Sequence, residues 1–467
     1  MAFFATVILL LVSTDSWTHC LYDHHDSATF FASGKAWMSG MVPYVDFSDS
    51  KGPLLWLIYG MGYLISPRTV HGVLLLTCFC YAFIFWWLFK TARIYLKNDR
   101  LAALASMTTA ISIFYPVVRY ETRAEDFALF FMVWALYHVC RLLHDNEVDA
   151  RRQAIRASIV LGIGMAATLL IKYNAMAILG VMALFVLHYA WRYHTGLWSA
   201  LGWMALSSAL FLAPFVSYML AVGCFDDFIC EYFVTNVEVL AHQHAHMRHP
   251  IFMLIGHRYT MGIYLLVNAL SALAAAWLSP RYRAFIFVTF LATLFLAVAN
   301  AFWLYYYAIC APFMLFGVVA MLRYFQVEGK FSLCMTHCAL CITIILAMHL
   351  AYGGSWWFNG KAEQRAFDDY ATMISRVEKP RIIYYNMHGA AFGIPAQSLP
   401  GCKYWVSQSG ATVAMYENQL EAIKNHDADF VFSLKSNDNP ALLQSLGYQC
   451  HPNTSALPMV LYSITSR

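Results

Sequence analysis

Long apolar runs separated by short polar ones make up most of this chain. Apolar residues dominate roughly 2–19, 70–90, 101–118, 126–143, 156–171, 174–190, 199–222, 259–278, 284–301, 304–322 and 332–352. Several runs approach the ~20 residues an α-helix needs to cross a bilayer. The pattern predicts an all-α polytopic membrane protein with about 11 transmembrane helices. The first run has no basic residue ahead of it and contains Asp15. It reads as a signal peptide or as an uncleaved anchor, and the lack of a clear small-residue cleavage site before Asp23 favours the anchor.

The pattern changes at about residue 361, where charged and polar residues return. Short β-like runs (Arg381–Tyr385, Asp429–Ser433, Met459–Ile464) alternate with helix-like ones (Met415–Asn425, Pro440–Leu446). A small C-terminal α/β domain over 361–467 is expected behind a transmembrane domain over 1–355. No internal repeat or low-complexity segment is visible.

The run Gly52–Ser66 is short for a span and opens with Gly-Pro. Whether it spans decides the side of every later loop. If it lies in the interface, loops 90–100, 141–156, 191–198, 279–283 and 323–330 share one side and carry 13 Lys and Arg, against 8 on the other. Cytoplasmic loops are the richer in Lys and Arg. The first loop (about 20–68, with interfacial helices), the Arg119–Asp126 hairpin, Lys172, the His-rich loop and the C-terminal domain then all face the extracytoplasmic side.

Composition agrees. The chain is 60% hydrophobic and 12% charged, half the charge of an ordinary soluble domain. Its net charge of +4 comes from clusters between apolar runs, as in topology signals, and gives no nucleic-acid character. The twelve cysteines are not a disulfide framework, since Cys78, Cys80, Cys140, Cys310, Cys334, Cys338 and Cys341 lie in apolar runs, where Cys acts as a small hydrophobe. Cys334, Cys338 and Cys341, with His337 nearby, admit a metal as a minor alternative. Cys402 and Cys450 would pair if the tail meets an oxidising compartment.

The polar loops hold the candidate chemistry. Asp26 opens a helix-like stretch, Ala28–Ser39, either as an N-cap or as a general base at the membrane surface. Pro43–Pro53 carries Asp46, Asp49 and Lys51; it is a solvated turn, or it places Lys51 against a lipid phosphate where the chain re-enters apolar sequence. Arg119, Arg123, Glu125 and Asp126 crowd one hairpin tip. The acids suit the start of a helix, and the two arginines suit a phosphate fork. Lys172 between two runs is a snorkelling lysine or a further phosphate contact. His242, His244, His246 and His249 are open to three readings: a metal site, a pH-responsive surface or a polar loop over a lipid headgroup. Together, carboxylates and cations at one face fit transfer of a group from a lipid phosphate to a hydroxyl.

These residues resemble a known family. Asp26-Ser27 followed by PYVDFSDSKGPLL (43–55) resembles the first loop of the C-type glycosyltransferases, the group of the dolichyl-phosphate-mannose–protein mannosyltransferases and lipid A aminoarabinose transferases. ETRAEDFALFF (121–131), GIGMAATLLIKYNAMAIL (162–179) and WLYYYAICAPF (303–313) follow in the family's order. The tail resembles the extracytoplasmic domain of some bacterial members. The resemblance implies Asp26 as general base and Glu125, with Asp126, as the second acidic position. It implies Lys51, Lys172 and Arg123 near the lipid phosphate, and Asp46 and Asp49 as loop acids. Arg119, His244 and Tyr306 complete the expected substrate-binding set. Asp26-Ser27 stands where the family often has Asp-Glu, and Lys51-Gly52-Pro53 where it often has Lys-Pro-Pro. The first departure leaves the base but removes a neighbouring carboxylate, which puts metal binding there in doubt; no cofactor is required, and a divalent metal stays an option. The implied partners are a polyprenyl-phosphate-linked sugar, the lipid bilayer and an envelope glycan, lipid or protein acceptor. The expected place is a bacterial inner membrane with the site facing the periplasm, and the expected reaction an inverting single displacement. The alternatives are a transporter or flippase of lipid-linked glycans, which usually shows mid-span charges and repeat halves, and an assembly factor.

Overall fold

The computed structural model describes residues 2–16, 26–114, 121–144, 149–246, 258–278, 283–299, 304–327, 361–407, 411–436, 438–451 and 457–464. Helices α1 (Ala2–Val12), α2 (Asp26–Met38) and α3 (Pro53–Ile65) precede the long ones. These are α4 (His71–Tyr95), α5 (Asp99–Phe114), α6 (Ala124–His144), α7 (Ala150–Lys172), α8 (Met176–Arg192) and α9 (Leu197–Val222). Arg258–Leu278, Arg283–Ala299 and Met314–Val327 follow, the last entered through a 3-10 segment, Leu304–Phe313.

Five apolar helical stretches are long enough to cross a membrane among the described residues: 71–95, 124–144, 150–192, 197–222 and 306–325. The third is a hairpin rather than one rod. Lys172 adopts an extended conformation at its turn (φ −159°, ψ 97°), and Gly164 lies against Leu179, 15 residues on. A continuous helix would hold those two about 22 Å apart. Helix α9 leaves Trp198, Leu210 and Leu220 exposed, as expected of a face turned to lipid.

One expected span comes out shorter. The first run forms 11 helical residues, Ala2–Val12, about 16 Å of helix; turn residues and the buried Asp15 follow. The run at 101–118 is helical to Phe114, and 115–118 lie outside the described residues, as does 332–352. Gly52–Ser66 forms the 13-residue α3, about 20 Å long and too short for a ~30 Å hydrocarbon core. It lies along α2 with Gly34 against Gly60; a Cβ on Gly34 would collide with the Gly60 nitrogen.

The C-terminal region carries a five-stranded mixed sheet of order β2-β1-β3-β5-β4. Its strands are β1 (Arg381–Tyr385), β2 (Leu399–Pro400), β3 (Phe430–Leu434), β4 (Tyr448–Cys450) and β5 (Met459–Ile464). Side chains alternate across a strand, and this sheet uses both faces. Ile383, Val431, Val460 and Tyr462 form a core with Ala422, Ile423 and Leu443. Ile382, Tyr384, Phe432 and Leu461 join Phe367 and Tyr370, and the same core continues into Phe31, Tyr44, Trp56 and Tyr232. The sheet and the first loop therefore share one apolar interior.

Cys402 and Cys450 are both free thiols, which corrects the pairing suggested by sequence. Cys402 follows β2 and Cys450 ends β4, at opposite edges of the sheet. Four strand spacings, about 19 Å, separate them, far beyond disulfide reach. Burial pushes the Cys402 thiol up to about 12.

Candidate active site

The loop between α2 and α3 folds on itself. Tyr44, in left-handed geometry (φ 67°), donates its N–H to Phe47 O at 2.8 Å and its hydroxyl to Lys51 O at 3.1 Å. Its ring packs on Trp56, centroids 4.7 Å apart. At the loop's end Gly52 N–H donates to Ile171 O at 3.1 Å. A Cβ at Gly52 would run into the Leu170 carbonyl, so only glycine permits this approach. The contact brings the Lys51 backbone beside the α7–α8 turn and hence close to Lys172.

The Lys172 ammonium contacts the Glu125 carboxylate and sits 4.0 Å from the Tyr306 ring centroid. Lys51 Nζ lies 5.3 Å from the Phe30 ring centroid and donates to Ser50 Oγ at 2.7 Å. Phe30 is one helical turn beyond Asp26, so the two share a face of α2. Asp26 opens that helix and is half-buried. Four elements thus converge: the starts of α2 and α6, the end of the loop and the turn after α7.

A second set of carboxylates lies deeper. Asp15 is fully buried; it accepts Ser27 Oγ–H at 3.1 Å and the Thr122 N–H at 2.7 Å. Glu121 accepts the Ser27 N–H at 3.3 Å and pairs with Arg123 at 3.4 Å. Asp126 accepts Tyr81 OH at 2.6 Å and the Arg123 N–H at 2.7 Å, the second bond closing the first turn of α6 as in a capping box. Tyr59 OH donates to Thr122 O at 2.6 Å.

The structure gathers Lys172, Glu125 and Tyr306, brings the Lys51 backbone beside their turn, and places Asp26 one turn before Phe30 on α2. It does not bring in Asp46, which is exposed and accepts the Val42 N–H at 2.7 Å in its own turn. Asp126 is engaged by Tyr81 and the α6 cap, and Arg123 lies beside Glu121. Asp49 is buried; one oxygen takes the Ser50 N–H at 2.6 Å and the other is buried without a hydrogen-bond partner. Arg119, the His244 side chain and Cys334, Cys338 and Cys341 lie outside the described residues. Among the described residues, no three His, Cys, Asp or Glu form a metal-ligating group.

Several residues here are invisible to a reading of the loops alone. Glu231, in a single π-helical turn (Cys230–Thr235), accepts Ser48 Oγ–H at 3.0 Å and Tyr404 OH at 2.9 Å and pairs with Lys403 at 2.9 Å. Burial, and then the adjacent Glu231, raise the Tyr404 hydroxyl above its ordinary value. Lys35, 1% exposed, donates to the Gly393 carbonyl, and burial brings its ammonium down to about 7. The only sequence signal for this pair of groups is a charge inside an otherwise apolar helix, at Lys35.

Residues 15–226 match the family model for dolichyl-phosphate-mannose-protein mannosyltransferase. That stretch is similar to the family; it covers a little under half of the chain. Solved structures carry the likeness of fold across the whole chain. ArnT from Cupriavidus metallidurans in the apo state superposes with TM-score 0.62 at 14% identity, over 99% of this chain and 97% of that one. The same protein bound to undecaprenyl phosphate gives 0.61 at 15% identity, again over 99% and 97%. The arabinofuranosyltransferase AftD from Mycobacteria gives 0.53 at 12% identity, over 100% of this chain and 40% of that chain. No curated protein matches by sequence. The C-type family match spans the first loop, the α6 start and the Lys172 turn, so it contains every element of the site except Tyr306.

Proposed function

We propose that this protein transfers a sugar from a polyprenyl-phosphate donor to an envelope acceptor (glycan, lipid or protein) at the extracytoplasmic face of a bacterial inner membrane. The observation that carries the reading is the joining of Lys51 and Lys172. They lie 121 residues apart in the chain and are tied by the Gly52–Ile171 main-chain bond, with Glu125 and Tyr306 around Lys172 and Asp26 on the Phe30 face. Support also comes from the family match and from the undecaprenyl phosphate bound by ArnT.

In the reaction, Asp26 takes the proton of the acceptor hydroxyl. The acceptor oxygen bonds to the anomeric carbon as the bond from that carbon to the phosphate oxygen breaks, with inversion. The charge gathered on the leaving polyprenyl phosphate is held by Lys51 and Lys172. Glu125 fixes Lys172 in place. The chain divides, in this reading, into a transmembrane catalytic domain over 1–355 and a domain over 361–467 on the same side as the site. A topology reporter fused after Tyr352 should signal from the extracytoplasmic side; a cytoplasmic signal would sink the one-sided site.

The deciding experiment is mass spectrometry of envelope glycans and lipid-linked sugars in a deletion strain, complemented by the wild type or by Asp26→Asn. One sugar should vanish, return with the wild type and stay absent with the variant. Full restoration by Asp26→Asn would end the catalytic assignment and leave the transporter or assembly alternative.

A further inference from the structure

The end of the first loop is gripped on both sides of Lys51. Asn236 Nδ2–H donates to Ser50 O at 3.2 Å, and Gly52 N–H donates to Ile171 O. Three residues before Lys51, Ser48 is held twice. Its hydroxyl donates to Glu231 at 3.0 Å, and its N–H donates to the Lys403 carbonyl at 2.8 Å. Lys403 and Tyr404 belong to the C-terminal region. Their side chains end on Glu231, and Lys403 also lies 3.6 Å from Asp227.

Glu231 is 7% exposed. A carboxylate so placed is costly unless charge and hydrogen bonds compensate it, and the compensation comes from Lys403, Tyr404 and Ser48. With the two tail side chains gone, a buried anion would stand near the loop that carries Lys51, competing with a phosphate for that ammonium. The C-terminal region thus reaches this charge centre three residues from a phosphate-binding lysine.

We propose that Glu231, Lys403 and Tyr404 are positioning residues, through which the C-terminal region sets the place of Lys51 at the phosphate of the lipid donor. This rests on the donor-site reading above. The tail is then part of the donor site rather than an appendage to it.

The test titrates undecaprenyl phosphate into the purified full-length protein and follows binding by native mass spectrometry. Lys51→Ala should weaken binding roughly tenfold, and Tyr404→Phe or Lys403→Met roughly fivefold, the net worth of one ordinary hydrogen bond. Added to Lys51→Ala, Tyr404→Phe should cost nothing more, because it acts through a side chain already gone. Tyr448→Phe removes a hydroxyl bonded to Ala428 O at 2.8 Å, away from Glu231, and should leave binding unchanged. Multiplying effects in the double variant, or an equal loss in Tyr448→Phe, would make the tail's role merely structural and overturn the proposal. Wild-type binding by Lys51→Ala would instead overturn the donor-site reading beneath it.

Discussion

Two groups of carboxylates lie near one another in this protein and live differently. In the deeper group, Asp15 and Asp126 each spend both oxygens on protein donors, and those bonds tie the α1 end, the α2 start, α4 and the α6 start together. In the shallower group, Asp26 is half-buried at a helix start and Glu125 faces a lysine. Residue type does not separate the two groups; position does, since the first ties four elements together through Ser27, Thr122, Tyr81 and Arg123, while in the second Glu125 holds a lysine at the turn after α7.

The sharpest break in this comparison is expected at the shallow group. Asp26→Asn should lower transfer about 10²- to 10⁴-fold, the usual worth of a general base, with the unfolding midpoint in nanodiscs unmoved. Turnover near wild type would place Asp26 with the structural acids. The reverse is expected at depth. Asp15→Ala strands the Thr122 N–H and the Ser27 hydroxyl, and should cost roughly 2–4 kcal/mol of stability, seen as a lower thermal midpoint. The protein that remains folded should bind undecaprenyl phosphate normally.

Lys35 sharpens the comparison from the cationic side. Its folded value is about 7 against an unfolded one near 10.4. Between those two values the unfolded chain binds the extra proton, so stability rises with pH through this window and is flat below about 7. Lys35→Met lacks that dependence. Relative to wild type it should gain on the order of 2 kcal/mol as pH falls from 9 to 7, read from unfolding midpoints across pH; a constant gap would show that Lys35 does not titrate there. The smallest effect is at Glu125. Glu125→Gln should keep the contact with Lys172 but loosen it, weakening donor binding by roughly threefold in the same titration.

What the sequence reveals depends on how local the cause is. β1, β3 and β5 are legible because each has three or four apolar residues in a row between polar breaks. β2 and β4 are two and three residues long, and β2 contains Pro400; they exist only because neighbours offer them edges. Lys51, Glu125 and Lys172 stand out as charges at the ends of apolar runs. Glu231 does not, since its partners Ser48 and Tyr404 are 183 and 173 residues away and nothing nearby marks it. Asp15 is visible as a charge in an apolar run, but its purpose lies in Thr122, 107 residues on. Asp46 stands out in the sequence as a loop acid, yet its geometry is that of an ordinary turn.

The bond from Lys35 to Gly393 joins residues 358 positions apart, and so sets a timetable for the making of the protein. At about 5–20 residues per second, roughly 20–70 s pass between the synthesis of Lys35 and that of the carbonyl that receives it. Throughout that interval α2 must wait with its lysine in water and its apolar face uncovered. A newborn chain is therefore exposed to proteases and membrane chaperones at its first loop until its last hundred residues emerge.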